Sequence, residues 1–258
     1  MPELRAHRLS KHFSGVRVVK DVSLTIGPGE VVGYLGPNGS GKTTTARMLA
    51  GLLEPSSGHV EYGNRDIRDD LVAYRRELGY IPEEPYLYPF LSGSEYLQLI
   101  GRLREIPEEL LKTKIARFLD LFGLTSAADQ AIVSYSKGMR QKIVISAALL
   151  HDPSIVLFDE PETGLDVTMT LMLRHLVRTL AGRGKAILYS SHILEVVERV
   201  CDRVIVLHEG AVVADDSIER LRTLLSRTSL EGVFSQLVIR QNPEQLANDL
   251  AAVSALSA

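Results

Sequence analysis

The sequence predicts an α/β fold built on a parallel sheet, and three observations carry that prediction. The run Ile155-Val156-Leu157-Phe158 is continuously apolar, the signature of a strand covered on both faces. After it, helical patterns at 167–182, 193–200 and 217–226 alternate with β-prone segments at 186–189, 203–207 and 211–214, and such alternation implies parallel strands with helices on the sheet's faces. Upstream, the β-prone stretch Glu30–Leu35 runs through a glycine-rich loop into a helical pattern at Thr44–Leu53, with Ala46, Leu49, Ala50 and Leu53 on one face.

Taken in order, residues 4–8, 16–26 and 30–35 are short β-prone segments parted by Gly15 and by Gly27-Pro28-Gly29. With the alternating segment His59–Tyr62 after Gly58, they read as a small antiparallel sheet flanking the glycine loop. Residues 69–78 read as a helix, followed by a strand at Gly79-Tyr80-Ile81. Pro82, Pro85 and Pro89 then interrupt regular structure. From Ser92 to about Leu150 the pattern is helical. Leu111, Ile115, Phe118 and Phe122 share a face, and Pro107 stands where a first helical turn tolerates it. This predicts a helical subdomain, residues 84–150, inserted into the α/β core. Thr228–Glu231 fits a capping box that opens a short helix, and the chain from Asn242 on is rich in Ala, Ser and Gln. The expected division is a domain over 1–225 and a short helical tail over 226–258.

Composition narrows the function classes. The chain has 258 residues, 45% hydrophobic and 24% charged, enough for a substantial core in one large domain or two small ones. A net charge of −3 with no concentrated basic block disfavours nucleic acid as a main partner. The single cysteine, Cys201, excludes an internal disulfide and reads as a core thiol. No apolar run reaches the roughly 18 residues that a bilayer crossing requires, and the first residues lack a signal-peptide pattern. A cytosolic chain is therefore expected, unless a partner holds it at a membrane.

Gly36-Pro37-Asn38-Gly39-Ser40-Gly41-Lys42-Thr43 fits the phosphate-cradling pattern Gly-x-x-x-x-Gly-Lys-Ser/Thr. Glycines let backbone N–H groups turn toward an anion, and the helix that opens near Thr44 aims its positive end at the same point. Lys42 can reach the terminal phosphates, and the Thr43 hydroxyl suits Mg²⁺. The expectation is a site for a nucleoside triphosphate with Mg²⁺.

Asp159 and Glu160 follow the buried strand 155–158, at the edge where ligands bind in open α/β sheets. Burying carboxylates costs several kcal/mol unless they are compensated. Mg²⁺ at Asp159 would provide compensation, and Glu160 would then lie near the γ-phosphate as a general base for water. A solvent-facing pair at a strand end is the alternative, which the phosphate loop disfavours. His192 follows Ser190-Ser191 after the next strand, so it is expected on the same edge, within reach of the γ-phosphate. Phe13 is open between stacking on an adenine ring and closing the edge of the core. Ser136, read by itself, is an N-cap for the helix that runs to Leu150.

Gly36–Thr43, Tyr135–Met139, Ile155–Pro161, Gly164-Leu165-Asp166 and Ser190-Ser191-His192 occur in an order that resembles the nucleotide-binding subunit of an ATP-binding cassette (ABC) transporter, over residues 4 to about 225. The resemblance implies a P-loop NTPase (RecA-like) core with an antiparallel β subdomain and an inserted helical subdomain. It also implies ATP hydrolysis. Phe13 then matches the aromatic that stacks on adenine. Ser136, Lys137, Gly138 and Met139 match the signature that touches the γ-phosphate held by a second copy of the domain. Asp166 matches the loop connecting two sites across that dimer. A homodimer, with two ATP molecules between its halves, would drive separate membrane permease subunits from the cytoplasmic face of the cell membrane.

Five positions, in three places, depart from the family pattern. Glu83 stands where Gln is common; its carboxylate can serve Mg²⁺ but repels phosphate without the metal. Tyr135, Lys137 and Met139 stand where Leu, Gly and Gln are commoner, and Glu162 stands where Thr is frequent. With the segment Ser229–Phe234, the variants at Glu83 and in Tyr135–Met139 resemble the bacterial exporter branch. The leading expectation is an ATPase powering export. The alternatives are an importer subunit, a soluble ABC ATPase in translation or DNA repair, and a phosphate-loop phosphotransferase. Soluble ABC relatives usually carry two cassettes or a long coiled-coil insertion, and a kinase has no use for a signature read in trans.

Overall fold

The computed structural model describes residues 2–162 and 164–224, together with Ser229, Leu230, Gly232 and Phe234. Thr228 and Glu231, the ends of the expected capping box, and the tail from Asn242 lie outside the described residues.

The chain opens with β1 (Leu4–Phe13), β2 (Val16–Ile26) and β3 (Val31–Leu35), and α1 (Lys42–Leu49) follows. Next come β4 (Ser57–Tyr62), β5 (Arg65–Asp66), α2 (Leu71–Arg76) and β6 (Leu78–Ile81). Three helices precede the next strand: α3 (Gly93–Leu103), α4 (Glu108–Leu121) and α5 (Lys137–Leu149). The remainder alternates as β7 (Ile155–Asp159), α6 (Val167–Gly182), β8 (Ala186–Ser190) and α7 (Leu194–Val200), then β9 (Arg203–His208), β10 (Ala211–Ser217) and α8 (Ile218–Leu224).

Two sheets result. The first is antiparallel, in the order β2-β1-β4-β5, and the second has the order β10-β9-β3-β8-β7-β6. The segment 30–35, expected in the antiparallel sheet, instead supplies β3 (Val31–Leu35) at the centre of the second sheet, paired in parallel with β8 and β9. Every residue of β3 is buried. A strand apolar on both faces needs cover on both sides, which a half-exposed antiparallel sheet does not supply. The second departure is β10, which joins antiparallel to β9 at the sheet's edge. The two residues between them, Glu209 and Gly210, both have positive φ, 48° and 83°. That pair makes a tight hairpin turn, and a two-residue connection is too short for a parallel crossover.

The helical stretch from Ser92 to Leu150 is three helices broken at defined points. Glu105 (φ 57°) and Gly123 (φ 64°) leave the helical region, and Pro107 serves as N-cap of α4, one position earlier than expected. The helix after the glycine loop starts at Lys42 and stops at Leu49, short of the expected Leu53, because Gly51 turns with φ 64°. Strand register decides where the chemistry gathers. Tyr34 pairs with Ser190, Ser190 with Asp159, and Phe158 with Ile81. The segments that follow β3, β6, β7 and β8 therefore emerge together at the carboxyl-terminal edge of the parallel strands.

Candidate nucleotide site

Gly36 leaves β3 where no side chain fits. A Cβ there would stand 2.4 Å from Ser40 Oγ and 2.5 Å from the Leu207 carbonyl. Gly41 adopts φ 104°, and a Cβ would lie 2.9 Å from the Val18 carbonyl. Gly41 is the N-cap of α1, with no side-chain cap and no acidic residue in the first turn. By contrast, Asp70 caps α2, and Ser92 with Glu95 forms a capping box on α3. The first N–H groups of α1 have no acceptor within the helix, so its positive end is open to an anion.

Lys42 is 7% exposed, and its ammonium donates to the Gly36 carbonyl at 2.8 Å. It also lies 3.5 Å from Glu160 Oε1. A cleft of about 310 Å³ opens above the loop, lined by Asn38, Gly39, Gly41, Lys42, Thr43, Thr44, Glu83, Glu160, His192 and Val18. The structure thus brings together residues from four separate connections of the chain, as the motif order led one to expect. Val18 joins them from β2, which sequence reasoning did not foresee.

Asp159 is fully buried. It accepts hydrogen bonds from Ser190 Oγ at 2.8 Å, Tyr80 OH at 3.3 Å and Thr43 Oγ1 at 3.4 Å. Burial raises its pKa above the ordinary aspartate value, and these three donors oppose the shift. A buried carboxylate held by neutral hydroxyls is poised for a cation. The paired oxygens of Thr43 and Asp159 are hard donors of the kind that suits Mg²⁺, and Glu83 lines the cleft together with Thr43.

The sign of the Asp159 shift gives a prediction. A carboxyl whose pKa is raised on folding favours the folded state when protonated, and that contribution is lost as pH rises through the folded value. At pH 7, without nucleotide, Asp159→Asn is expected to stabilise the chain by about 1 kcal/mol, equivalent to ~3 °C in Tm. The gain over wild type should shrink toward acid pH in thermal melts. A lower Tm at pH 7 would mean that the carboxylate is stabilised in place.

Glu160 lies one residue past β7 with φ 50°, a left-handed conformation rare outside glycine. Its N–H donates to the Ser190 carbonyl at 3.2 Å, which anchors this backbone. The carboxylate is 2.6 Å from His192 Nδ1 and accepts from the His192 N–H at 3.3 Å. Glu160 is 6% exposed, while the His192 side chain is 61% exposed. The pair therefore points from a buried anchor into an open cleft. The solvent-facing alternative for Asp159 and Glu160 does not hold in this packing.

Ser136 is the N-cap of α5, accepting from the Met139 N–H at 3.2 Å. Ser136, Lys137, Gly138 and Met139 line a second cleft of about 380 Å³ with Gly164, Leu165 and Asp166. None of these residues lines the first cleft. Lys137 packs on Gly164, where a Cβ would lie 2.8 Å from its stem. Asp166 caps α6 by accepting from the Met169 N–H at 2.8 Å, a local role that sequence reasoning overlooked. Its spacing three residues before Met169 was the available signal. Glu162 turns inward, where it accepts from Tyr189 OH at 2.9 Å and burial raises its pKa. Gln141, 1% exposed, donates to the Pro161 carbonyl at 3.2 Å and so ties α5 to the segment after Glu160. Phe13 stands 44% exposed at the tip of the β1–β2 hairpin, with the Lys11 ammonium 5.5 Å from the ring centre. It does not close the core edge. Cys201 is buried, and its thiol pKa is pushed up by desolvation, as a core thiol should be.

Comparison with known proteins agrees with this geometry. Residues 19–163 match the family model described as ABC transporter. The chain is 41% identical over 226 residues to the ABC transporter ATP-binding protein NatA of Bacillus subtilis, covering 87% of this chain and 92% of that one. It is 34% identical over 211 residues to the linearmycin resistance ATP-binding protein LnrL of the same organism, covering 82% and 68%. A solved structure of an ATP-binding subunit of an ABC transporter superposes with a TM-score of 0.85 at 33% identity, covering 91% of this chain and 98% of the other. The chain belongs to the ABC transporter family, as an ATP-binding subunit with a P-loop NTPase fold. Among the described residues, no helix is long and apolar enough to cross a membrane.

Proposed function

We propose that this subunit hydrolyses ATP between two copies of itself to power export through separate membrane permease subunits. One observation carries the reading: the chain holds two clefts, each at a helix N-terminus, with the hydrolytic groups in one and the signature residues in the other. Each cleft is half of a site. In a head-to-tail pair, Ser136–Met139 of one copy would close over ATP held by Gly36–Thr44 of the other, with Asp166 at the crossing between them. Phe13, exposed at the tip of the β1–β2 hairpin, is the candidate for stacking on adenine.

In this mechanism Lys42 exchanges the Gly36 carbonyl for phosphate oxygens. Thr43 and Asp159, with Glu83, would hold Mg²⁺, which supplies charge neutralisation on the phosphates when bound. Glu160 accepts the proton of the attacking water, and His192 orients Glu160 through Nδ1 and stands ready to contact the γ-phosphate. The domain spans 1–225, with residues 84–150 as the helical subdomain.

A groove of about 630 Å³ runs between the ends of α1 and α2, β6, and helices α3 and α5, lined by Arg47, Arg75, Tyr80, Tyr86, Tyr96 and Val144 among others. Next to it Tyr86, Tyr88 and Phe90 are 82%, 60% and 88% exposed. Clustered exposed aromatics of this kind favour a protein partner, and we assign the permease contact here. That contact would put the subunit peripherally on the cytoplasmic face of the membrane. Export rests on the resistance relative and on the variants at Glu83 and Tyr135–Met139.

The test is assembly. Glu160→Gln protein with ATP and Mg²⁺ should double in mass by light scattering and, from membranes, co-purify with a permease. A variant that binds ATP, remains monomeric and captures no membrane protein would overturn the proposal.

A further inference from the structure

The solvent face of the antiparallel sheet carries a cluster that the nucleotide chemistry does not use. In the β1–β4 pairing His7 lies opposite His59, and Arg5 lies opposite Glu61. Strand alternation sends Ala6 and Val60 into the core, and it leaves His7, His59 and Glu61 together on the outer face. The two imidazoles stack with centroids 4.8 Å apart and planes 17° from parallel. Both turn the same ring nitrogen toward one carboxylate: His7 Nε2 is 3.0 Å from Glu61 Oε2, and His59 Nε2 is 3.0 Å from Glu61 Oε1. The candidate ligand atoms all lie within 4.8 Å of one another.

We propose that His7, His59 and Glu61 bind one divalent transition-metal ion of the Zn²⁺ class, at a site separate from the nucleotide cleft. Two imidazoles and a carboxylate are a recurrent zinc donor set, with bonds of about 2.0–2.2 Å and an open fourth position for water. Such bonds put tetrahedral ligands roughly 3.4 Å apart, so an ion would spread the two 3.0 Å separations slightly and draw in the widest pair of a set that lies within 4.8 Å. The donors are rigidly supplied by neighbouring strands, and no loop has to fold around the metal. Each Nε2–H now donates to Glu61; on metal binding that proton passes through solvent to Nδ1, and the freed Nε2 lone pair goes to the cation in place of the hydrogen bond.

The surrounding charges suit a cation. Arg5, opposite Glu61, is engaged by Glu3 and by Asn64. Asp66, opposite Glu61 on β5, adds negative charge near His59, although Arg68 pairs with it. Side-chain exposures of 42%, 36% and 26% for His7, His59 and Glu61 leave the ion accessible to solvent. The site therefore exchanges metal readily, and its effect is to staple β1 to β4 when zinc is available. Nitrogen ligands select Zn²⁺, Ni²⁺ or Cu²⁺ over Mg²⁺ and Ca²⁺.

The experiment titrates untagged full-length chain with Zn²⁺ against a chromophoric chelator, in saturating Mg²⁺. One Zn²⁺ per chain is expected at micromolar concentration. His7→Ala and His59→Ala should each weaken binding more than the roughly tenfold that loss of a supporting contact costs a metal site, and His192→Ala should not. Zn²⁺ at a hundredfold excess over its Kd should raise Tm by about 5 °C in wild type and leave the His7→Ala, His59→Ala double variant unchanged. Both variants lie on an exposed face, and circular dichroism checks their folding. Absence of Zn²⁺ binding, or binding that survives in the double variant or disappears in His192→Ala, would refute the site.

Discussion

Glu160→Gln is expected to bind ATP with near wild-type affinity and to turn it over about 10³-fold more slowly. The amide matches the carboxylate in shape, so it can still accept from the His192 N–H and fill the space beside Lys42. It cannot take a proton from water, and removal of a positioned general base typically costs 10²- to 10⁴-fold, an order-of-magnitude range. Phosphate release and equilibrium binding of a fluorescent ATP analogue, measured on the same preparation, separate the two effects. A parallel fall in both would show that Glu160 serves structure and not proton transfer.

Lys42→Ala should lose triphosphate binding itself, by about 10²- to 10³-fold. The ammonium is enclosed, bonded to the Gly36 carbonyl and close to Glu160. Its removal takes a charge-assisted contact away from the phosphates and leaves the enclosed Glu160 carboxylate without its nearby cation. Breaking one side of a buried ion pair costs roughly 3–5 kcal/mol, and each 1.4 kcal/mol is about tenfold in affinity. Adenosine, which lacks phosphates, should discriminate the variants little. If Lys42→Ala and Glu160→Gln lost binding equally, the division of labour between anchoring and hydrolysis would have to be abandoned.

The site was legible in the chain wherever its chemistry is local. Gly36 and Gly41 are demanded by contacts that no side chain survives, and Lys42 and Thr43 follow them at a fixed offset. Asp159 and Glu160 stood out as charges ending an apolar run. Other parts depend on which strand lies beside which. Tyr80 and Ser190 reach Asp159 only because β6 and β8 flank β7. Val18 enters the cleft from another sheet, and Gln141 reaches Pro161 from α5. Nothing in the immediate neighbours of these residues encodes such pairings.

Sequence alone determined the phosphate loop, the acidic strand end, the signature helix start and the family they define, because each rests on residues within one turn or one strand of each other. Tertiary structure decided that β3 leaves the antiparallel sheet for the centre of the parallel one, and that β10 returns antiparallel. It also decided that Glu162 turns inward and that Ser136–Met139 occupy a cleft apart from the glycine loop. The reason is burial. Which apolar faces cover one another is settled by the whole chain at once, and strand register then carries each polar side chain to its place.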